Sequence, residues 1–136
     1  MNPSEALEFL RANHRSVLMV HRSGGQVAPS PVVHGVDDRG RVVISSRQTA
    51  YKVRNLKRDP RATLCGFTDG FFGPWVTVSG PAEIIPLPDA MDGLVDLYRQ
   101  VAGEHPDWDD FQAAMEREQR VLIAIRPETA GPDVRG

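Results

Sequence analysis

Two basic residues, Arg47 and Lys52, stand where a predicted strand gives way to a predicted helix. The β-branched run over 42–46 is typical of a strand, and residues 50–58 have a helical pattern. Thr49 is the expected N-cap, because its hydroxyl can accept a free backbone N–H of the first turn. The helix macrodipole disfavours each cation at a helix N-terminus by about 0.3–1 kcal/mol. Two cations beside unpaired N–H groups therefore indicate a bound anion, most often a phosphate.

A second interpretation of the same residues needs no ligand. Lysine carries its charge on a long flexible stem, so Lys52 can turn away from the helix end and into water. The segment would then be a solvated basic helix with no binding role. These residues alone leave both interpretations open.

The bulk properties of the chain indicate a single globular domain. Its 136 residues are 40% hydrophobic and 25% charged, which is ordinary for such a domain. A net charge of −2 gives no general attraction to nucleic acid or to membranes. The sequence has no apolar run of about 18 residues and no signal-peptide pattern, so we expect a cytoplasmic protein. The single cysteine, Cys65, excludes an internal disulfide framework, and its apolar neighbours predict a buried thiol.

The pattern of predicted elements favours an α+β fold built on a small antiparallel barrel, because closure of a sheet removes its exposed edges. In the strand over 27–33, Pro29 and Pro31 have no N–H for the ladder, so this strand should lie at an edge or face a ligand. We expect one domain, residues 1–136, with a loose tail over 127–136. The six predicted strands are 16–20, 27–33, 42–46, 62–67, 75–85 and 121–125, and the predicted helices begin near Pro3, Ala50, Asp89 and Asp107.

Other polar side chains offer weaker candidates for chemistry. The four histidines have no metal-ligand spacing, so no metal site is expected. His34 lies beside the proline-containing strand and would be either a polar lining residue or a proton donor. An acidic first helical turn explains Asp107, Asp109 and Asp110 without calcium.

A stripe of basic residues raises nucleic-acid binding as an alternative. Five cations over residues 52–61 could contact phosphates from the surface of a barrel. No platform of stacking aromatic residues accompanies them, and the whole chain is slightly acidic. We therefore expect no nucleic-acid partner and no membrane partner.

Two stretches of the sequence resemble one protein family. Residues 52–61, KVRNLKRDPR, resemble the signature of the split β-barrel flavin and deazaflavin oxidoreductases, which include pyridoxamine 5'-phosphate oxidase. Residues 97–99 and 102–111 also resemble this family, and most of all its small actinobacterial group that uses the deazaflavin coenzyme F-420. The resemblance implies a six-stranded antiparallel split β-barrel with flanking helices. It also implies a homodimer with two cofactor sites at the subunit interface.

The resemblance also implies where a cofactor would bind. In such enzymes the strand-to-helix corner holds the cofactor's phosphate, and the strand that corresponds to residues 30–34 runs under the ring system. Related proteins often have an arginine where this chain has Ala50, and Arg47 is the candidate to replace it. Trp75 would come from the partner subunit and cover the site, or else be an ordinary core or dimer-interface aromatic. The implied cofactor-binding residues are Ser30, Val32, Ser46, Arg47, Thr49, Lys52, Asn55 and Trp75.

The activity implied by the resemblance is F-420-dependent transfer of a hydride to an unsaturated small-molecule substrate. Such chemistry belongs to the cofactor, so it needs no protein nucleophile and no metal, and no catalytic residue is assigned. One alternative is an FMN-dependent oxidase or reductase on the same barrel. Another is a noncatalytic protein that binds a flavin-like cofactor or a tetrapyrrole.

Overall fold

The computed structural model describes residues 1–133, in which four helices and eight strands follow one another along the chain. None of these helices is long and apolar enough to cross a membrane. In chain order the elements are α1 (Pro3–Ala12), β1 (Arg15–His21), β2 (Val27–Val33), β3 (Gly35–Val36), β4 (Val42–Arg47), α2 (Tyr51–Arg58), β5 (Arg61–Phe67), β6 (Trp75–Ile85), α3 (Met91–Ala102), α4 (Trp108–Arg117), β7 (Arg120–Ile125) and β8 (Thr129–Gly131).

The strands form one antiparallel sheet in the order β2-β1-β5-β6-β7-β4-β3, with β8 attached to β6. The long strand β6 joins the two halves, because its first part pairs with β5 and its residues 82–85 pair with β7. This order leaves β2 near one end and β4 near the other, and both strands line the same opening. We call this opening between β2 and β4 the seam.

The α+β antiparallel fold predicted from the sequence is confirmed, but residues 1–133 form eight strands where six were predicted. The two additional strands, β3 and β8, are only two and three residues long. Strands this short carry too few side chains to show an alternating pattern. The edge position predicted for residues 27–33 is confirmed, since among the described residues β2 pairs on one side only, with β1.

Side-chain alternation explains why β4 and β7 are buried on both faces. Val42 and Ile44 of β4 point into the barrel, where they pack with Ile123 and Ile125 of β7 and with α1. Val43 points the other way and packs against α3 and α4. The helices α3 and α4 are therefore held on the outside of the barrel, next to the seam. Cys65 is half-buried rather than fully buried, and burial raises the pKa of its thiol.

The start of α2 differs from the expectation. Its N-cap is Ala50, whose backbone is extended, and Lys52 is the second residue of the helix. Thr49 lies one residue outside the capping position, so its hydroxyl does not cap the helix. Within residues 1–133 no side chain caps α2, and its first N–H groups are left to other acceptors.

The tail also differs from the expectation over part of its length. Residues 127–136 were expected to be loose, but Thr129–Gly131 pair with residues 77–79 of β6. The backbone N–H of Glu128 also donates to the carbonyl oxygen of Ser79, at 2.8 Å. Backbone hydrogen bonds hold this segment against β6. Such bonds do not require an alternating pattern of side chains, so the sequence does not reveal the strand. The remainder of the predicted tail, residues 134–136, lies outside the described residues.

Candidate functional site

A cavity of about 580 Å³ lies at the seam. Residues 31–33 of β2 form one wall, and Ile44 and Ser45 of β4 form another. Two basic side chains, Lys52 and Arg120, also line this seam cavity. Its third wall comes from α3 and α4 and is almost wholly apolar: Leu94, Leu97, Tyr98, Val101, Ala102, Phe111 and Met115. The cavity thus combines an apolar body with a small cationic region.

A second cavity, of about 630 Å³, lies between β2 and the first turns of α2. We call it the corner cavity. Three of the predicted site residues, Ser30, Lys52 and Asn55, line it together with Val20, Arg22, Ser23, Ala28, Pro29 and Tyr51. Lys52 is the only residue common to the linings of the two cavities as described for residues 1–133. The two spaces therefore meet at the Lys52 side chain.

Lys52 is a cation without a matching carboxylate. Its side chain is half-buried, and it has no ion-pair partner among residues 1–133. Burial lowers the pKa of Lys52, and the positive charge of Arg120 lowers it further. Both effects disfavour the charged ammonium, and a bound anion would reverse them. The surroundings of Lys52 thus fit an anionic ligand better than an empty surface position.

Arg120 was not among the residues predicted from the sequence. It is the first residue of β7 and lies opposite Arg47 in the ladder between β4 and β7. Its Nη2 donates to Oε1 of Glu118 at 3.2 Å, whereas its Nε is buried and has no hydrogen-bond partner within residues 1–133. The only sequence signal for Arg120 is its place at the start of the last long strand. The ladder that brings it to the seam joins residues that are far apart in the chain.

Arg47 and Ser46 were both predicted to hold the phosphate, but neither lines the seam or corner cavity as residues 1–133 are placed. Arg47 is largely exposed, and its Nη2 donates to Oε1 of Glu118 at 3.1 Å. Ser46 is buried, and its hydroxyl donates to the carbonyl oxygen of Arg47 at 3.3 Å. The neighbouring Ser45 lines the seam cavity, whereas Ser46 does not as residues 1–133 are placed.

The other predicted residues lie in several places. Val32 lines the seam cavity. Thr49 lines a separate shallow hollow of about 500 Å³ with Gln48, Arg54, Lys57 and Gln119. Asn55, in the corner cavity, already accepts a hydrogen bond from Nη2 of Arg58 at 3.0 Å. The structure thus brings together Ser30, Val32, Lys52 and Asn55 and places Thr49 on the neighbouring surface.

Trp75 lies at the start of β6, opposite Phe67 of β5, and its side chain is 47% exposed. Within residues 1–133 of this single chain, it lines neither the seam cavity nor the corner cavity. Phe71 and Phe72, in the preceding loop, are exposed still further. We call Phe71, Phe72 and Trp75 the aromatic loop. The predicted role of Trp75 as a cover from a partner subunit stays a prediction.

His34 is fully buried and does not line either cavity, so both roles considered for it are wrong. Its Nε2 donates to the carbonyl oxygen of Leu10 at 3.1 Å, and its Nδ1 accepts from the Ser16 hydroxyl at 2.7 Å. Burial lowers the pKa of His34 to about 4. The imidazole is a neutral structural link between α1 and β1.

The fold and the cavity together define a class of protein, an antiparallel barrel split along a seam whose cavity is lined by two basic side chains, Lys52 and Arg120. The family model for pyridoxamine 5'-phosphate oxidase matches residues 3–131. The chain belongs to this family of flavin-binding oxidoreductases, and the resemblance seen in the sequence is confirmed. Within residues 1–133, no group of three or more His, Cys, Asp or Glu side chains could hold a metal ion.

The solved structures that are similar to this fold include the following three. The conserved hypothetical protein Rv2991 from Mycobacterium tuberculosis is 21% identical, with coverage of 100% of this chain and 93% of that chain and a TM-score of 0.78. An F-420 reductase is 20% identical, with coverage of 91% of this chain and 94% of that chain and a TM-score of 0.69. A heme binding protein from Mycobacterium smegmatis is 20% identical, with coverage of 94% of this chain and 52% of that chain and a TM-score of 0.70. At these identities the similarity shows the fold alone.

Proposed function

We propose that this protein is an oxidoreductase that binds the deazaflavin coenzyme F-420 across the seam and corner cavities. The observation that carries this proposal is the position of Lys52, a half-buried cation without a carboxylate partner among residues 1–133, at the junction of two cavities. A phosphate at Lys52 would restore the charge balance there. The uncapped N-terminus of α2 adds N–H donors and a favourable dipole on the same side.

The junction of two cavities favours F-420 over FMN. In F-420 the phosphate is a diester, with the ring-bearing chain on one side and a glutamate-containing tail on the other. FMN carries its phosphate at the end of the molecule, so it would leave one of the two cavities empty. A phosphate held at Lys52 with groups on both sides makes use of both spaces.

The apolar wall of the seam cavity suits the ring. Val32, Leu97 and Phe111, with the other apolar lining residues, would bury the flat ring and exclude water from its face. The bound cofactor supplies the hydride chemistry, so the task of the protein is to orient the ring and to hold the phosphate. This division of roles agrees with a cavity whose lining is largely apolar and includes two cations.

Two alternatives remain within this family. An FMN-dependent oxidase or reductase would use the same cations with a terminal phosphate. The other alternative is a noncatalytic protein that binds a flavin-like cofactor or a tetrapyrrole. Because the fold is similar to that of a heme binding protein, the experiment below includes heme as a ligand.

Titration of the purified protein with F-420, FMN and heme, followed by fluorescence and absorbance, separates these proposals. We expect F-420 to bind at least about tenfold more tightly than FMN, a difference of about 1.4 kcal/mol, because it alone occupies both cavities. Tighter binding of FMN would overturn the choice of cofactor. Binding of F-420 without turnover of any electron acceptor would overturn the enzymatic part of the proposal.

We further propose a homodimer in which the partner's aromatic loop covers the seam cavity. Val33 and Val101 line the mouth of that cavity and are exposed, as are Phe72 and Trp75 in the aromatic loop. Exposed apolar patches of this kind mark contact surfaces in soluble proteins. A second copy of the chain would bury both surfaces at once.

Sedimentation analysis tests the homodimer. We expect a dimer at micromolar concentration with an interface of about 2,000 Å² or more, the size of an obligate interface. Trp75→Ser and Phe72→Ser together should shift the equilibrium toward monomer and weaken cofactor binding in parallel. A stable folded monomer of the wild-type chain at micromolar concentration would contradict the proposal.

A further inference from the structure

Arg120 is the second cation of the seam cavity, and its hydrogen bonds are incomplete. The guanidinium uses Nη2 for Glu118, while the buried Nε has no partner within residues 1–133. A buried donor without an acceptor is destabilising, so such an atom in a protein calls for an explanation. The side chain of Arg120 also lines the seam cavity, where a ligand oxygen could accept from it.

The charges around Arg120 do not balance. Glu118 accepts hydrogen bonds from both Arg47 and Arg120, at 3.1 and 3.2 Å. The pKa of Glu118 lies below its usual range, mainly because of its hydrogen bond with Arg120 and the charge of that residue. One carboxylate thus serves two guanidinium groups, and Lys52 beside them has no ion-pair partner among residues 1–133. An anionic ligand would supply the negative charge that these side chains lack.

We propose that Arg120, whose side chain lines the seam cavity beside Lys52, binds the same phosphate as Lys52 through its guanidinium. The inference rests on the proposed function and adds a residue to its site. Arg47 does not take this role, because its side chain is exposed and lines neither the seam cavity nor the corner cavity as residues 1–133 are placed. Arg120 is therefore the cation that complements Lys52 in a chain with Ala50 at the N-cap of α2.

The test compares ligands with and without the phosphate. Arg120→Met keeps the length and apolar character of the side chain but removes the guanidinium. We expect it to weaken binding of F-420 and of FMN by about tenfold, the lower end for a charge-assisted hydrogen bond. Binding of riboflavin, or of the phosphate-free deazariboflavin core of F-420, should stay within about twofold, because no phosphate contact is lost. Arg120→Lys, which retains the charge without the guanidinium, should recover part of the affinity.

Glu118→Gln is the matched control. If Arg120 acted only through its ion pair with Glu118, this substitution would reproduce the loss seen in Arg120→Met. We expect instead no loss of F-420 affinity, because the glutamine amide oxygen can still accept from Nη2 while the competing negative charge is removed. Equal losses in the two variants, or an equal loss for ligands with and without phosphate, would overturn the inference.

Failure of this inference is distinguishable from failure of the proposed function. Wild-type protein that binds neither F-420 nor FMN would overturn both. Phosphate-dependent binding that falls in Lys52→Ala but is unchanged in Arg120→Met and Arg120→Lys would overturn the role of Arg120 alone.

Discussion

Replacement of Lys52 by alanine is expected to weaken F-420 binding by about 1.5–3 kcal/mol, the usual size of a charge-assisted hydrogen bond to a charged ligand. The substitution should leave the fold intact, because Lys52 makes no ion pair among residues 1–133 and lies at the edge of the core. Removal of a cation from the positive end of α2 should even raise the free energy of unfolding of the free protein, by about 0.3–1 kcal/mol. Fluorescence titration and chemical denaturation measure the two effects.

The control for this prediction has to remove a cation without touching a structural contact. Arg58, on the same helix, is unsuitable because its Nη2 donates to the carbonyl oxygen of His21 at 2.7 Å and to Asn55. Arg11 on α1 is exposed and lines neither cavity as residues 1–133 are placed, so Arg11→Ala should leave cofactor affinity unchanged. Added salt should weaken wild-type binding more than binding to Lys52→Ala. Unchanged affinity of Lys52→Ala for both F-420 and FMN would leave Lys52 as a surface charge.

Much of the fold could be predicted because its signals are local. Asn2 caps α1 through its side chain, as the residues after it indicate, and Gly103 ends α3 with a positive φ. The two prolines of β2 mark an edge strand because each lacks a ladder donor, and within residues 1–133 β2 is indeed paired on one side only. The strands β4 and β7 similarly follow from the sequence, since runs of β-branched and other apolar side chains dominate both.

The candidate site could be predicted only in part, because its assembly depends on pairing between distant strands. The local pattern selected Lys52, which lies at the junction of the two cavities. Arg120 comes beside it only because β7 pairs with β4, a contact between segments that are far apart in the chain. The same ladder directs Arg47 to Glu118 and away from the seam. No periodicity within either strand contains that information.

His34 shows the same limit in the core. Its sequence position, next to the predicted ligand-binding strand, suggested a site residue. The structure places the ring inside the protein, between the carbonyl oxygen of Leu10 and the hydroxyl of Ser16. These partners come from α1 and β1, so their convergence on the imidazole is again a tertiary feature.

The burial of His34 has a measurable consequence for stability in acid. Its folded-state pKa is lowered from 6.5 to about 4, first by burial and further by the charge of neighbouring His14. Between these two values the unfolded chain binds more protons than the folded chain, so stability rises with pH across this range. Each pKa unit corresponds to about 1.4 kcal/mol, so full protonation of His34 lowers the free energy of unfolding by about 3 kcal/mol. The contribution of neutral His34 to the free energy of unfolding is fully present above about pH 6.5 and is lost as the pH falls through about 4.

Urea denaturation at a series of pH values from neutrality down to about pH 4 measures this loss. His34→Asn should be less stable at neutral pH, because the shorter side chain cannot reach both Leu10 and Ser16. It should nevertheless lack the His34 part of the pH dependence, so the wild-type and variant curves should converge by about 3 kcal/mol toward acid pH. Parallel curves for wild type and His34→Asn would mean that the buried imidazole does not titrate with a depressed pKa, because the lost protonation cost is what brings the two curves together.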